Sequence, residues 1–328
     1  MPRWCRRLLQ LALTTGVVGA LVWVVDASAL WRALGEAHWG WGAAAVLLLP
    51  VNLFLDGWVW ARLLAVVEGD FPATRVAEAV LGGLALGFWT PGRLGEYAGR
   101  AFAFPEADRW TVSLTVFVQR MADMAVGVGV GLGLLLGALG TGVLPATGPW
   151  LLAAGIGAGT VGVLGLGLLV PGLVHRGAGA LGAWASPLSA RTAVLERLQL
   201  SHRMAVVGGS LGRYLVFTGQ FVCLGLAVQP SAPVLLLAAA VGLTFYAKYL
   251  IPSLTLLDLG LREGGAVLFF SMLGLDAAAG LSAALLLFGV NVLGPAVLGV
   301  PAVARLPLGG AAADAAPSTE FSSILSRP

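Results

Sequence analysis

The chain has 328 residues, of which 58% are hydrophobic and 11% charged, whereas a soluble domain carries about 25% charged residues. Its mean hydropathy is +0.91, and several apolar runs reach or approach the roughly 18 to 20 residues a helix needs to cross hydrocarbon, which excludes a water-soluble globule. A net charge of +3 is too sparse for a nucleic-acid footprint, and two cysteines without CxxC or metal-ligand spacing suggest neither a disulfide framework nor a zinc site.

Arg3, Arg6 and Arg7 precede the first apolar run, Leu8 to Val25, and Ala27-Ser28-Ala29 resembles a signal cleavage site. The run is longer than a signal core, so it reads as an uncleaved first helix. Apolar length and flanking polarity place spans at about 8–25, 41–66, 111–139, 149–170, 204–227 and 277–300.

Two regions do not fit as plain spans. Val76 to Trp89 is followed by Thr90-Pro91-Gly92 and a polar segment with Arg93, Glu96 and Arg100. Such a stretch rises only about 21 Å, short of the roughly 30 Å hydrocarbon core. Residues 234–275 carry apolar arms on either side of Pro252-Ser253, then Asp258, Arg262 and Glu263. Irregular backbone at membrane depth is tolerated only where protein or a wet cavity satisfies it. Both regions therefore read as broken or re-entrant hairpins, with breaks at Pro91, Gly92 and Gly95 and at Pro252 and Gly260.

Residues 171–203 read as including an amphipathic stretch at the cytoplasmic surface, with Trp184, Leu188, Val194, Leu195 and Leu198 on its apolar side. The Ala-, Gly-, Ser- and Pro-rich tail, 307–328, reads as a disordered cytoplasmic end.

The expected fold is all-α: a polytopic membrane helix bundle of about six full spans plus the two hairpins, in a single transmembrane domain over 1–306. If each hairpin returns to its own side, one face collects Arg3, Arg6, Arg7, Arg62, Arg109, Arg176, Arg191, Arg197, Arg203 and Arg305, and the other keeps Arg32. The positive-inside rule makes the first face cytoplasmic, with both termini there, in a bacterial-type inner membrane. The same topology divides into two halves, 8–139 and 149–300, that enter from opposite sides. Inverted repeats of that kind are a transporter signature, and Pro91-Gly92-Arg93-Leu94-Gly95-Glu96 is echoed by Pro252 and Leu259-Gly260-Leu261-Arg262-Glu263.

An ionisable side chain at bilayer depth costs on the order of 2.5 to 3.5 kcal/mol even on lenient scales. The candidates are Arg93, Glu96, Arg100, Arg120, Asp123, Arg213, Lys248, Asp258, Arg262 and Glu263, with Asn52, Asp56, Gln119, Gln220 and Asn291 as polar companions. Glu96 and Arg100 are spaced to share a helix face, as are Arg120 and Asp123. The second pair serves function and helix gluing equally well. Asn52 and Asp56, one turn apart, read as interhelical hydrogen-bonding groups. Arg93, Arg100 and Arg262 suit a phosphate, given the guanidinium fork, with half-helix N-termini adding N–H donors. Glu96, Asp258 and Glu263 then serve as counter-charges or proton acceptors.

Thr90-Pro91-Gly92-Arg93-Leu94-Gly95-Glu96 with Arg100, then Gln119-Arg120 with Asp123, and finally Pro252-Ser253 through Leu259-Gly260-Leu261-Arg262-Glu263-Gly264 resemble the flippase-like transmembrane domain of the lysylphosphatidylglycerol synthases and its stand-alone relatives. The resemblance covers about residues 8–300. It implies movement of a lipid between leaflets, without the separate soluble domain that attaches the amino acid. Two positions depart from the family pattern: Gln119, where Glu is frequent, and Leu256-Leu257, where Gly-rich sequence is frequent.

Three functional readings follow. The first is a flippase-like translocator, not an enzyme and without cofactor or metal. It moves an anionic phospholipid, an aminoacylated lipid or a lipid-linked precursor, and its partners are membrane lipids and an enzyme of lipid or glycan modification. The second is a membrane-embedded transferase on a lipid phosphate with Asp258 or Glu263 as base. His38, His175 and His202 all fall in expected loops, and no nucleophile or phosphate-loop motif accompanies them. The third is a non-catalytic membrane subunit of a lipid- or glycan-modifying system.

Overall fold

The computed structural model describes residues 37–170, 193–251 and 257–306, with Gly35 and Gly172. The expected first span 8–25, most of the amphipathic stretch 171–203, the break at Pro252 and the tail 307–328 lie outside the described residues.

Among the described residues the chain is helical, without strands. Helix α1 (Trp39–Leu47) runs through Leu48 into α2 (Leu49–Val67). Then come α3 (Ala73–Trp89) and, after a turn at Pro91–Arg93, α4 (Leu94–Phe102). Helices α5 (Arg109–Gly140) and α6 (Gly148–Leu169) follow. A short 3-10 turn, Ala193–Arg197, leads to α7 (Leu200–Val228), α8 (Val234–Leu250) and α9 (Leu257–Met272). Finally α10 (Ala277–Phe288) passes through a π-helical turn, Gly289–Leu293, into α11 (Gly294–Arg305). Five stretches are long and apolar enough to cross a membrane: Trp39–Val67, Arg109–Gly140, Gly148–Leu168, Leu200–Val228 and Ala277–Arg305. The chain is a polytopic helical membrane bundle.

Local chemistry sets several helix boundaries. The Asp108 carboxylate accepts from the Thr111 N–H at 2.9 Å and caps α5. Asp276 does the same for α10 through Ala278 N–H, also at 2.9 Å. Both satisfy first-turn donors that no carbonyl can reach. Pro72 and Pro233 stand at the N-caps of α3 and α8, the two helices that open the hairpins.

Helices α3 and α4 form an antiparallel hairpin. Gly83 lies against Gly99 and Gly87 against Glu96 near the turn, while Arg75 reaches back to the Ala103 carbonyl at the open end. Helix α3 has 17 residues, about 25 Å of rise, and so ends within the hydrocarbon. Helices α8 and α9 pair likewise, with Thr244 against Gly265. The two hairpins open at opposite ends of the bundle. The α1–α2 stretch runs antiparallel to α7, with His38 donating to the Ala227 carbonyl at one end and Gly209 against Val59 further along. Each hairpin also leans on the long helix that closes the other half of the chain: α3 on α11, and α8 on α5.

Two expected breaks are corrected by this arrangement. Gly95 and Gly260 are helical, in the first turns of α4 and α9. The reversal itself falls on Gly92, at φ 60°, and on Arg93, at φ 57°. Gly95 is needed for closeness, since a Cβ there would stand 2.3 Å from the Leu86 carbonyl oxygen. His202, expected in a loop, lies in the first turn of α7. Leu195 and Leu198, expected at the lipid interface, are buried beside Val59, Leu63, Val118, Ala122 and Val206.

The open end of the first hairpin is held by Arg75. Its guanidinium forks onto Glu106, donates to the Ala103 carbonyl at 2.9 Å and lies 4.8 Å from the Phe104 ring centre. The hydrogen bonds from Arg75 hold the Glu106 carboxyl below the usual carboxylate range. The stability this pair contributes is therefore present above the unfolded carboxylate pKa of about 4.3 and fades as pH falls through the lower folded value. Glu106→Gln should lower stability at pH 7 by less than about 1 kcal/mol, as for an exposed pair. The difference from wild type should close on acidification, in melting curves of detergent-purified protein.

The glycine assignments give a second, paired expectation. Gly95→Ala should destabilise the protein by about 1 to 3 kcal/mol, as overpacking does. Gly260→Ala, with no described residue within 4 Å of the new methyl, should be neutral or stabilise by up to about 1 kcal/mol through helix propensity. Equal melting temperatures for the two variants would contradict the hairpin geometry.

Candidate functional site

The turn of the first hairpin delivers charge into the bundle. Arg93 is the one non-glycine residue with positive φ among the described residues, a conformation that costs an L-residue roughly 1 to 2 kcal/mol. It reverses the chain so that Glu96 and Arg100, one helical turn apart, both face the bundle interior.

Arg100 is completely buried, and both of its terminal nitrogens find acceptors while its Nε has no hydrogen-bond partner among the described residues. Its guanidinium meets Asp56 Oδ2 of α2 at 2.6 Å, Glu96 Oε1 at 2.7 Å and Gln119 Oε1 of α5 at 3.1 Å. It also lies 4.9 Å from the ring centre of Trp60, which in turn donates to Thr115 Oγ1 at 2.9 Å. Gln119 completes the enclosure by donating to the Asp56 carboxylate and backbone carbonyl, each at 3.0 Å. Asp56 and Glu96 are 3% and 1% exposed.

A second layer lies towards the outside of this core. Arg120 of α5 pairs with Glu96 and places another N–H 3.0 Å from Asp123 Oδ2. Arg213 of α7 reaches Asp123 Oδ2 at 2.6 Å and Asp56 Oδ1 at 2.8 Å. Arg93 stands 3.5 Å from Glu96 Oε2. Side-chain exposure is 44% for Arg93, 19% for Arg120, 17% for Arg213 and 12% for Asp123, so this layer is the accessible one. Beyond Arg213 the polar track continues: its Nε meets Asn52 Oδ1 at 3.3 Å, and Asn52 donates to Asn291 Oδ1 at 3.0 Å. Asn291 sits in the π-helical turn between α10 and α11, a feature frequent at functional sites.

Arg93, Arg100, Arg120 and Arg213 face Asp56, Glu96 and Asp123, leaving a formal excess of one positive charge. The excess is concentrated on the accessible layer, where three arginines meet one carboxylate. Asp56, Asp123 and Arg213 lie near the middle of their long helices, so the cluster is at mid-depth in the bundle. A cluster of this kind can receive an anion at a depth where water is scarce.

The model describing the lysylphosphatidylglycerol synthase TM region matches residues 7–299. The chain belongs to that family. Comparisons with curated proteins and with solved structures each find no match. Membership in the lysylphosphatidylglycerol synthase TM-region family, together with the five long apolar helices, places the chain among membrane proteins of lipid-related function.

Of the residues singled out from sequence in this family member, Arg93, Glu96, Arg100, Arg120 and Asp123 meet in one cluster. Arg262 and Glu263 pair with each other in α9, Nε to Oε1 at 3.1 Å. The Arg262 guanidinium lies 5.6 Å from the ring centre of Phe288, and the Phe88 ring of the first hairpin packs on Phe288 from the α3 side. The Asp258 side chain lies outside the described residues. Sequence reasoning took Asp56 for a hydrogen-bonding group and named Arg213 as a candidate without giving it a partner or a role. The signal was available: each stands in an apolar span with no opposite charge three or four residues away, so a lone acid and a lone base must find partners on other helices.

Neutralising a sealed carboxylate should be severe. Asp56→Asn leaves Arg100 and Arg213 short of a counter-charge in the interior. A loss of about 3 to 5 kcal/mol is expected, as for one-sided removal from a buried pair. Unfolding in mixed micelles measures it, and a loss below about 1 kcal/mol would mean that solvent reaches Arg100.

Proposed function

We propose that this protein is a non-enzymatic lipid translocator that carries an amphiphile with an anionic headgroup between leaflets of the cell membrane. The observation that carries this reading is the mid-depth cluster with its accessible arginine layer. A headgroup crossing hydrocarbon needs polar partners at the depth where desolvation costs most. The Arg93, Arg120 and Arg213 guanidiniums suit a phosphate, and its acyl tails can remain in the lipid. Full enclosure of Arg100 favours a scaffolding role for it, leaving contact with the headgroup to the outer arginines.

The paired hairpins support alternating access through an inverted repeat. They open at opposite ends, and each rests on the closing helix of the other half. Discontinuous elements in corresponding positions of two halves mark the substrate site in transporters of that design. Arg75, Arg109, Arg203 and Arg305 gather at the end where the first hairpin opens. By the positive-inside rule that end faces the cytoplasm.

Reconstitution in liposomes with headgroup-labelled anionic and neutral lipids tests the reading, with quenching from outside reporting leaflet exchange. Wild type should accelerate exchange of the anionic lipid. Arg93→Gln and Arg213→Gln, folded by their melting curves, should slow it at least tenfold. Correctly folded wild type that exchanges no lipid class would falsify the translocator reading.

A further inference from the structure

The three carboxylates of the cluster are not equivalent. Asp56 and Glu96 are sealed at 3% and 1% exposure, and both grip Arg100. Asp123 is the one carboxylate on the accessible side. It is held through a single oxygen, Oδ2, which bridges Arg120 at 3.0 Å and Arg213 at 2.6 Å, while its buried Oδ1 has no hydrogen-bond partner.

Arg120 and Arg213 do not depend on Asp123 for their positions. Arg120 is also paired with Glu96, and Arg213 with Asp56 at 2.8 Å. Withdrawal of Asp123 therefore leaves both guanidiniums fixed and aimed at one vacated point. Arg93 stands on the same accessible side, with Nε 3.5 Å from Glu96. Two fixed guanidiniums converging on one point match the oxygens of a phosphate, whose bidentate pairing is stronger than a bond through one carboxylate oxygen.

We propose that Asp123 is a displaceable internal counter-ion: it occupies the seat of a phosphate group, yields it to the incoming headgroup, and reclaims it to expel the headgroup. This assignment rests on the translocator reading and names the group that the site recognises. Displacement and return conserve every proton and bond; only ion pairs exchange. Asp56 and Glu96 are fixed anchors in the cycle. Release on the far side follows from an intramolecular carboxylate that is always present at high effective concentration. Tyr249 of α8 is positioned to sense the exchange, since its ring lies against Gly127, one turn beyond Asp123 on α5.

The test is calorimetric binding of dihexanoyl phosphatidylglycerol and of inorganic phosphate to the full chain in neutral detergent. Wild type is compared with Asp123→Asn, and Arg305→Gln at the bundle end serves as a control. Asp123→Asn should bind at least tenfold more tightly than wild type and Arg305→Gln. It should also exchange labelled lipid between leaflets more slowly, because the expelling group is gone. A gain with both ligands supports a seat for any phosphate, and a gain with the lipid alone supports a seat that needs the headgroup's membrane attachment.

Unchanged or weaker binding by folded Asp123→Asn overturns the proposal. Wild-type leaflet exchange persisting beside that result would leave the translocator reading intact. Conversely, tighter binding by Asp123→Asn without any exchange by wild type would support the counter-ion and sink the translocator. Should Asp123→Asn not fold, infrared difference spectra of wild type decide. Saturating phosphatidylglycerol must shift a carboxylate stretch that is absent from the difference spectrum of Asp123→Ser, and no shift at saturation overturns the proposal.

Discussion

A guanidinium without exposed surface can exist inside an apolar bundle only if acceptors and counter-charges are brought to it. Arg100 receives carboxylates from two elements and an amide from a third at its terminal nitrogens, with the face of Trp60 beside it, and only its Nε is left without a hydrogen bond. Because these groups come from α2, α4 and α5, the requirement of one cation fixes three helices relative to one another. A buried ion pair is weak evidence for net stability, since desolvation offsets much of the attraction. It is strong evidence for specificity: an arrangement that moved α4 by one turn would strand Glu96 and Arg100 in hydrocarbon.

From that constraint the rest of the site follows. With Asp56 and Glu96 committed to Arg100, the free oxygens Asp56 Oδ1 and Glu96 Oε2 take Arg213 and Arg93, and Glu96 Oε1 is shared between Arg100 and Arg120. The sealed core thus templates the accessible layer. The hairpin turn is the element that makes this geometry available, since only a chain reversal inside the bundle places a helix start at mid-depth. Glycines permit the approach: Gly83, Gly87 and Gly99 line the α3–α4 contact, where added methyl groups would fall 2.8 to 3.0 Å from the partner.

The second hairpin has the same outline and different chemistry. Two of its charged residues, Arg262 and Glu263, pair with each other locally, and Arg262 meets the first hairpin through the rings of Phe288 and Phe88. The two halves of the chain are therefore alike in topology and unequal in charge. The polar track runs from Arg213 through Asn52 to the π-helical turn at Asn291.

The membrane class, the long spans, the hairpin at residues 75–104 and the chemistry of its charged turn were legible in the sequence, because bilayer thickness and the cost of buried charge act on composition and spacing directly. The Glu96–Arg100 and Arg120–Asp123 pairs were legible for the same reason, being local on single helices. The joining of those pairs through Asp56 and Arg213, the sorting of carboxylates into sealed and accessible, and the left-handed turn at Arg93 beside the expected break at Gly92 were decided only by tertiary structure. Helix register across the bundle sets which lone charges meet, and register depends on steric fits such as Gly83 against Gly99 and Gly209 against Val59. No periodicity along one chain encodes a fit between two.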